Sequence, residues 1–280
     1  MEALAEGSEV LGYRPFYGRH TLADWDAVKD YDLVCIWGMA GIASKEVVAS
    51  CHAHGRPIII FDQPLLRWVN VPVWDWGDSV GLYRQHVGRA WDQPCSEKRL
   101  EGWGVTPKSR AEGANGVLLL GQVPDDAAHG LDMRAYYGWL NEAGGHLRET
   151  VGEGHLYYRP HPKASMFPAP AGFETVDNAV PLGTQITAFA GALTHSSSAQ
   201  YVCYAEGVPC VVWDRGERWP LKTPKDQSVA WARLAQASWN DWRMAELRDG
   251  TAIQTMLDGP PAPEPMVVTD APQRRRKAAA

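Results

Sequence analysis

Tyr157-Tyr158-Arg159-Pro160-His161-Pro162 and Ala192-Leu193-Thr194-His195-Ser196-Ser197-Ser198 are the two stretches on which the fold turns. In each, a short apolar run opens directly into a polar loop. After the second, Ala199 to Glu206 reads as a helix, Gly207 ends it, and Pro209-Cys210-Val211-Val212-Trp213 reads as a further strand. Strand, loop, helix and strand in this order build a parallel α/β sheet, whose ligands bind where strand carboxyl ends open into loops. The stretch from Tyr157 to Asp214 therefore predicts one binding cleft lined by two polar loops.

Upstream, Val117-Leu118-Leu119-Leu120 predicts the strand that begins this sheet, opening into Gly121-Gln122-Val123-Pro124-Asp125-Asp126. A helix from about Met133 to Ala143 is expected to break at Gly144-Gly145, and another is expected near Leu182 to Phe189. Lys108 to Gly116 is polar and Gly-rich and makes the best domain boundary. Before it, Glu2 to Leu11 reads as a helix ended by Gly12, and Asp32 to Trp37 as a strand. Ser44 is the expected cap of a helix with Val47 and Val48 inward, closed by Gly55. Pro57-Ile58-Ile59-Ile60-Phe61 is then a buried strand ending at Asp62, which completes a parallel βαβ unit.

Patterning weakens from Trp68 to Arg110, where tryptophans alternate with Gly, Pro and charged residues; loops of this length are usually functional or mobile. Gln227 to Leu257 reads as helical, because Trp231, Leu234, Ala235, Trp239, Trp242, Leu247, Ile253 and Leu257 form one apolar set. Gly259-Pro260-Pro261 stops it, and a Pro-rich tail ending Arg274-Arg275-Arg276-Lys277 is expected to be disordered. The expected organisation is α/β, with doubly wound domains over 1–112 and 113–259 and a basic tail over 260–280.

Bulk properties exclude several classes. The net charge of −6 gives no global attraction to nucleic acid. No apolar run approaches the ~20 residues that span a bilayer, and no signal core stands at the amino terminus, so a cytoplasmic location is expected. Five cysteines without CxxC or His-paired spacing read as reduced structural thiols, and no metal site is expected. No GxGxxG follows a strand, and neither GxxxxGK[ST] nor GxSxG occurs, which weighs against nicotinamide, P-loop and nucleophile-elbow chemistry. Thirteen tryptophans against five phenylalanines suit either stacking on sugars and bases or core packing.

The two loops support a different chemistry. Ser196 or Ser197 would sit at a helix amino terminus, where free N–H groups favour an anion. His161, held between prolines, could donate to the same anion, with Arg159 and Lys163 adding charge. Each loop alone also fits a plain N-cap or turn; together, at successive strand ends, they predict a phosphate or diphosphate site. Asp62, at the carboxyl end of its strand, is a candidate general base or a turn residue before Pro64.

Gln122-Val123-Pro124-x-Asp126, Arg159-Pro160-His161-Pro162, and Thr194-His195-Ser196-Ser197-Ser198 followed by Glu206-Gly207-Val208-Pro209 resemble the donor domain of GT-B glycosyltransferases. The nearest likeness is to capsule-type Kdo transferases and bacterial sialyltransferases, which carry an HP motif and a serine motif. A second is to small glycosyltransferase-like proteins of bacteriophages, some associated with modified DNA bases. The resemblance covers Val117 to Asp214. It implies two Rossmann-like domains and a nucleotide sugar as co-substrate, with no cofactor and no metal. It implies donor contacts from Gln122, Asp126, Arg159, His161, Lys163, His195, Ser196, Ser197 and Ser198, with Glu206 near the ribose. His161 would stabilise the leaving phosphate, and Asp62 best matches the position of the catalytic base. The first domain is shorter than the family's, and its acidic motif is not the sialyltransferase one. For the acceptor, a hydroxymethylated pyrimidine in phage DNA is slightly favoured, held by Trp68, Trp74, Trp76, Arg84 and His86. A capsule or lipopolysaccharide glycan is the alternative, and a non-catalytic nucleotide-binding module is the rival of a different class.

Overall fold

The computed structural model describes residues 2–16, 25–38, 42–69, 78–84, 90–91, 93–106, 108–109, 111–126, 130–152, 155–213 and 228–262. Trp74, Trp76, His86 and the basic tail beyond 262 lie outside the described residues.

The second half of the chain forms a five-stranded, fully parallel sheet from β4 (Val117–Leu120), β5 (Leu156–Arg159), β6 (Glu174–Thr175), β7 (Gly191–Thr194) and β8 (Cys210–Val212), ordered β6-β5-β4-β7-β8. Strand order reverses between β4 and β7, which is the switch point where open parallel sheets bind ligands. The continuous apolar run of β4 reflects burial on both faces. Val117 and Leu119 pack with Tyr136, Trp139 and Leu140 of α4 (Met133–Val151), while Leu118 and Leu120 join a larger core with Ile186, Phe189 and Tyr201.

Helix α4 runs straight through Gly144-Gly145 instead of stopping there. Asp132 caps it by accepting the Ala135 N–H at 2.7 Å, and a stripe from Tyr136 to Leu147 is buried. Gly144 is needed for packing: a Cβ on it would lie 2.8 Å from Cβ of Pro170. Close approach thus offsets the roughly 1 kcal/mol that each glycine costs a helix relative to alanine.

The first sheet departs from the expected doubly wound form. Its order is β1-β2-β3-β9, and only β1 (Val34–Trp37) and β2 (Ile58–Asp62) are parallel, joined by α2 (Ile42–Ala53). Val47 and Val48 of α2 are buried as expected, whereas Ser44 lies inside the helix and does not cap it. β3 (Ser79–Tyr83) and β9 (Asp241–Arg243) add antiparallel. β9 interrupts the stretch read as helical, between α7 (Ser228–Ser238) and α8 (Met244–Arg248). Trp239 and Trp242 are three apart and imitate a helical stripe; a three-residue strand is too short to show its own period.

Chain order and sheet membership therefore differ. After the second sheet the chain returns to the first, where β9, α8 and α9 (Thr251–Asp258) pack with α1 (Glu2–Val10) around Ile59, Phe61, Leu82 and Trp242. A single core runs from Ile58 and Ile60 through Leu100 and Val105 to Leu118 and Tyr201, so apolar packing joins the two sheets. Most described tryptophans serve this packing: Trp91, Trp103, Trp139, Trp213, Trp231, Trp239 and Trp242 all belong to or line the cores. Trp37 and Trp68 are exposed. None of the five cysteines forms a disulfide, and burial pushes the Cys35 and Cys95 thiols up to about 12, consistent with inert structural thiols. No helix among the described residues is long and apolar enough to cross a membrane.

Candidate active site

The wall on the second sheet is built where β4, β5 and β7 end. Gly121 follows β4, and a Cβ there would lie 2.8 Å from the Tyr158 hydroxyl and 3.2 Å from the His161 nitrogen. Its missing side chain lets the β4 loop and the His161 loop meet. The next residue, Gln122, is buried, and its Oε1 accepts the Ser196 N–H at 2.9 Å and the Thr194 hydroxyl at 3.4 Å. Its own N–H donates to the Tyr136 hydroxyl at 2.9 Å. Gln122 thus ties the β4 loop to the serine loop across the switch point. Beyond it, Asp125 takes a left-handed φ of 61°, tolerable for Asp, and Asp126 is exposed on the same turn.

His161 opens a short 3₁₀ turn over Pro162–Ala164, and its Nδ1 accepts the Lys163 N–H at 3.1 Å. In the neutral ring that bond leaves the proton on Nε2, as a donor. Burial lowers the His161 pKa, Lys163 lowers it further, Asp126 opposes them, and Arg67 and Arg159 add smaller lowering effects. The ring is therefore a neutral hydrogen-bond donor near pH 7. Lys163 itself is exposed.

In the serine loop, the Ser197 hydroxyl accepts the Ala199 N–H at 3.2 Å, so it caps α6 (Ala199–Ala205). Ser198 makes no side-chain cap bond. The Ser196 hydroxyl lies 3.2 Å from His195 Nδ1, and the His195 ring meets Trp139 edge-on.

Two predicted donor residues stand apart from this cluster. Arg159 gives its guanidinium to the carbonyls of Asp177, Asn178 and Val180 and to Gln185 Oε1, clamping the segment before α5 (Leu182–Gln185). Glu206 sits at the far end of α6, about 10 Å along the helix from the serines. There it pairs with Lys108 at 2.8 Å.

The opposite wall comes from the first sheet. Asp62 ends β2, and its Oδ1 accepts the Gln63 N–H at 2.7 Å. Burial raises its pKa, the Gln63 N–H and Arg67 oppose, and Asp126 raises it further. Asp126 belongs to the other wall, and Arg67 likewise acts on His161. Asp126 and Arg67 thus act electrostatically on both Asp62 and His161, which puts these four side chains in one charged neighbourhood.

The segment after Asp62 is anchored by distant residues that carry no sequence signal. The Tyr83 hydroxyl donates to the Gln63 carbonyl at 2.6 Å. Asp241 of β9 is fully buried and accepts the N–H groups of Leu65 at 2.7 Å and Leu66 at 2.8 Å. Burial pushes the Asp241 pKa up to about 7, against the lowering effects of those two N–H groups, Arg99 and Arg67. Arg99 holds β9 in turn: Nε donates to the Ser238 carbonyl at 2.8 Å, the two Nη atoms pair with Glu246 at 2.7 and 2.8 Å, and the guanidinium lies 3.7 Å from the Trp242 ring centre.

Of the predicted acceptor residues, Trp68 is 61% exposed on this segment, beside Arg67. Arg84 is exposed over the Trp91 ring. Among the described residues, no three His, Cys, Asp or Glu side chains converge as metal ligands.

No family model matches the chain, and no curated protein matches it by sequence. Among solved structures it is similar to a β-Kdo 2,4-transferase, KpsC of Thermosulfurimonas dismutans, with 11% identity over 82% of this chain and 86% of that one, TM-score 0.48. It is also similar to a β-Kdo 2,7-transferase of KpsC from the same organism, with 12% identity over 91% and 97%, TM-score 0.45.

Proposed function

We propose that the chain is a metal-independent glycosyltransferase of the GT-B kind, moving a sugar from a nucleotide-activated donor to a saccharide hydroxyl. What supports this reading is the tie from Gln122 to the serine loop beside His161, together with the electrostatic reach of Asp126 and Arg67 to both His161 and Asp62. The donor unit spans 113 to the end of α7; the acceptor unit is 1–112 completed by β9, α8 and α9, with the cytoplasm as the place of action.

The donor phosphate lies against His161 Nε2–H and the loop of Ser196, Ser197 and Ser198, with Lys163 nearby. Gln122 and Arg159 position this wall from within and do not touch the donor. The acceptor hydroxyl enters from the first sheet, and Asp62 takes its proton as the oxygen attacks the anomeric carbon. The bond from that carbon to the phosphate oxygen breaks, and the electron pair leaves with the nucleotide. Burial raises Asp62 towards the range useful for a base. His161 donates to the phosphate oxygen as its charge grows.

A saccharide acceptor is favoured over a base in DNA because Trp91 and Trp103, part of the tryptophan-rich region expected to stack a flipped base, are used in packing. Trp68, exposed beside Arg67, remains as a stacking surface for a sugar ring.

Thermal shift against a panel of nucleotide sugars tests the reading, because a ligand that binds only the folded state raises its melting temperature. With the stabilising donor, His161→Ala should abolish binding by calorimetry while circular dichroism stays unchanged. Asp62→Asn should keep donor affinity and lose turnover by at least 100-fold. A cleft that binds a nucleotide but shows the same lack of turnover in wild type and Asp62→Asn is a binding module, and the enzyme reading fails.

A further inference from the structure

Arg67 is a strongly basic side chain on the segment after Asp62 that has no role in the mechanism above. Its guanidinium has five N–H donors. Among the described residues, the hydrogen bond from Nη1 to the Pro64 carbonyl at 2.9 Å is the one it makes, and Nε is buried without a partner. A buried Nε–H without an acceptor is costly. Burial disfavours its charge, and Tyr83, Asp241, Asp62 and Asp126 oppose that effect at longer range. They favour its charge without occupying its donors.

The backbone that carries Arg67 is fixed at three consecutive points. Tyr83 holds the Gln63 carbonyl, and Asp241 holds the N–H groups of Leu65 and Leu66. Gly81 makes the first anchor possible, since a Cβ there would lie 2.6 Å from the Gln63 oxygen and 2.8 Å from the Tyr83 hydroxyl. Two strands, one of them contributed from the end of the fold, thus hold one short segment, and that segment carries an arginine within electrostatic reach of His161.

We infer that Arg67 binds the phosphate of the nucleotide leaving group from the side opposite His161, so that the anion is gripped by both sheets. This rests on the nucleotide-sugar reading above. A planar, forked, permanently charged donor suits phosphate oxygens better than a single ammonium does. Asp241 is then a positioning residue, acting on the phosphate through the backbone that carries Arg67.

The test is calorimetry with CMP, UMP, UDP, GDP and ADP on the full chain, taking the tightest binder forward. Arg67→Gln should weaken that nucleotide by about 10- to 100-fold, the range expected for losing a charge-assisted bond pair. Arg67→Lys, which keeps charge and bulk but not the fork, should be weaker than wild type by at least about threefold and stronger than Arg67→Gln. If Arg67→Gln does not fold, the lysine variant decides, and wild-type affinity in it overturns the inference. Wild-type affinity in Arg67→Gln with binding lost in His161→Ala also overturns it, and leaves the glycosyltransferase reading standing. Failure of all five nucleotides to bind the wild-type chain removes both.

Discussion

The two walls of the cleft solve the same problem in different ways. On the second sheet, Gln122, His161 and the serines lie within a few residues of strand ends, and the cross-tie from Gln122 to Ser196 joins loops of adjacent strands. On the first sheet, Asp62 and Arg67 ride on a short segment held by Tyr83 and by Asp241, a residue 176 positions from Leu65. The second wall is a by-product of parallel topology: its loops are tied by Gln122 and the neutral His161, and Arg159 is the buried charge that clamps its edge. The first depends on buried charge: Asp241 at zero exposure, with Arg99 and Glu246 behind it. The first wall should therefore be the one that fails when charges are altered, and the second the one that fails when space is.

Arg99→Ala breaks this contrast most directly. It removes the bidentate pair with Glu246, the bonds to the Ser238 and Asp241 carbonyls, and the stacking on Trp242. Losing one partner of a mostly buried network costs about 3–5 kcal/mol. Urea unfolding should show a loss of at least about 3 kcal/mol, scaled by the partial exposure of Glu246. A loss under about 1 kcal/mol, the level of a surface pair, would mean that β9 is held by its ladder and apolar contacts instead.

Gly121→Ala probes the second wall by volume. The added Cβ meets the Tyr158 hydroxyl at 2.8 Å and the His161 backbone nitrogen at 3.2 Å, so the two loops must part. Overpacking of this kind costs about 1–3 kcal/mol. The displaced His161 loop should also weaken the nucleotide found by the thermal-shift screen by roughly tenfold, equivalent to about 1.4 kcal/mol. Unchanged affinity with reduced stability would separate the packing of these loops from binding.

What could be read in the sequence follows the same division. β4, β5, β7, β8 and α6 are legible because each apolar run is continuous, each is closed by a glycine or a polar loop, and successive elements are short-range neighbours. The loops holding His161 and Ser196 to Ser198 are legible for the same reason. The first sheet is legible only as far as its βαβ unit. β3 hides among irregular residues, and β9 hides because Trp239 and Trp242 fall at helical spacing. Arg67 could not be chosen from its neighbours, since Pro64-Leu65-Leu66-Arg67 looks like any turn. Its importance comes from Asp241 and Tyr83, which pairing between distant strands brings to it. Gln122 and Arg159 were legible as important residues but not as internal ties, because sequence reveals polarity at a strand end and not the direction of a side chain.

The remaining contrast concerns pH, and Asp241 sharpens it. Its native pKa is pushed up to about 7, well above the ordinary carboxylate range, chiefly by complete burial. The native state therefore holds the proton more tightly than the unfolded chain between about pH 4 and 7. By linkage, stability contributed by this group is present at low pH, falls as pH rises through that window, and levels off above the native pKa. Asp241→Asn removes the titration, although it also replaces one acceptor with a donor facing an N–H, so its absolute stability should drop. The useful quantity is the difference between wild type and variant, measured by urea unfolding at pH 6 and pH 8. The wild-type advantage should shrink by about 1 kcal/mol over that interval. A difference independent of pH would mean that the N–H groups of Leu65 and Leu66, with Arg99 and Arg67, outweigh burial and keep Asp241 ionised. The first wall would then be held by a permanent charge, and its dependence on charge would be stronger than the comparison with the second wall already requires.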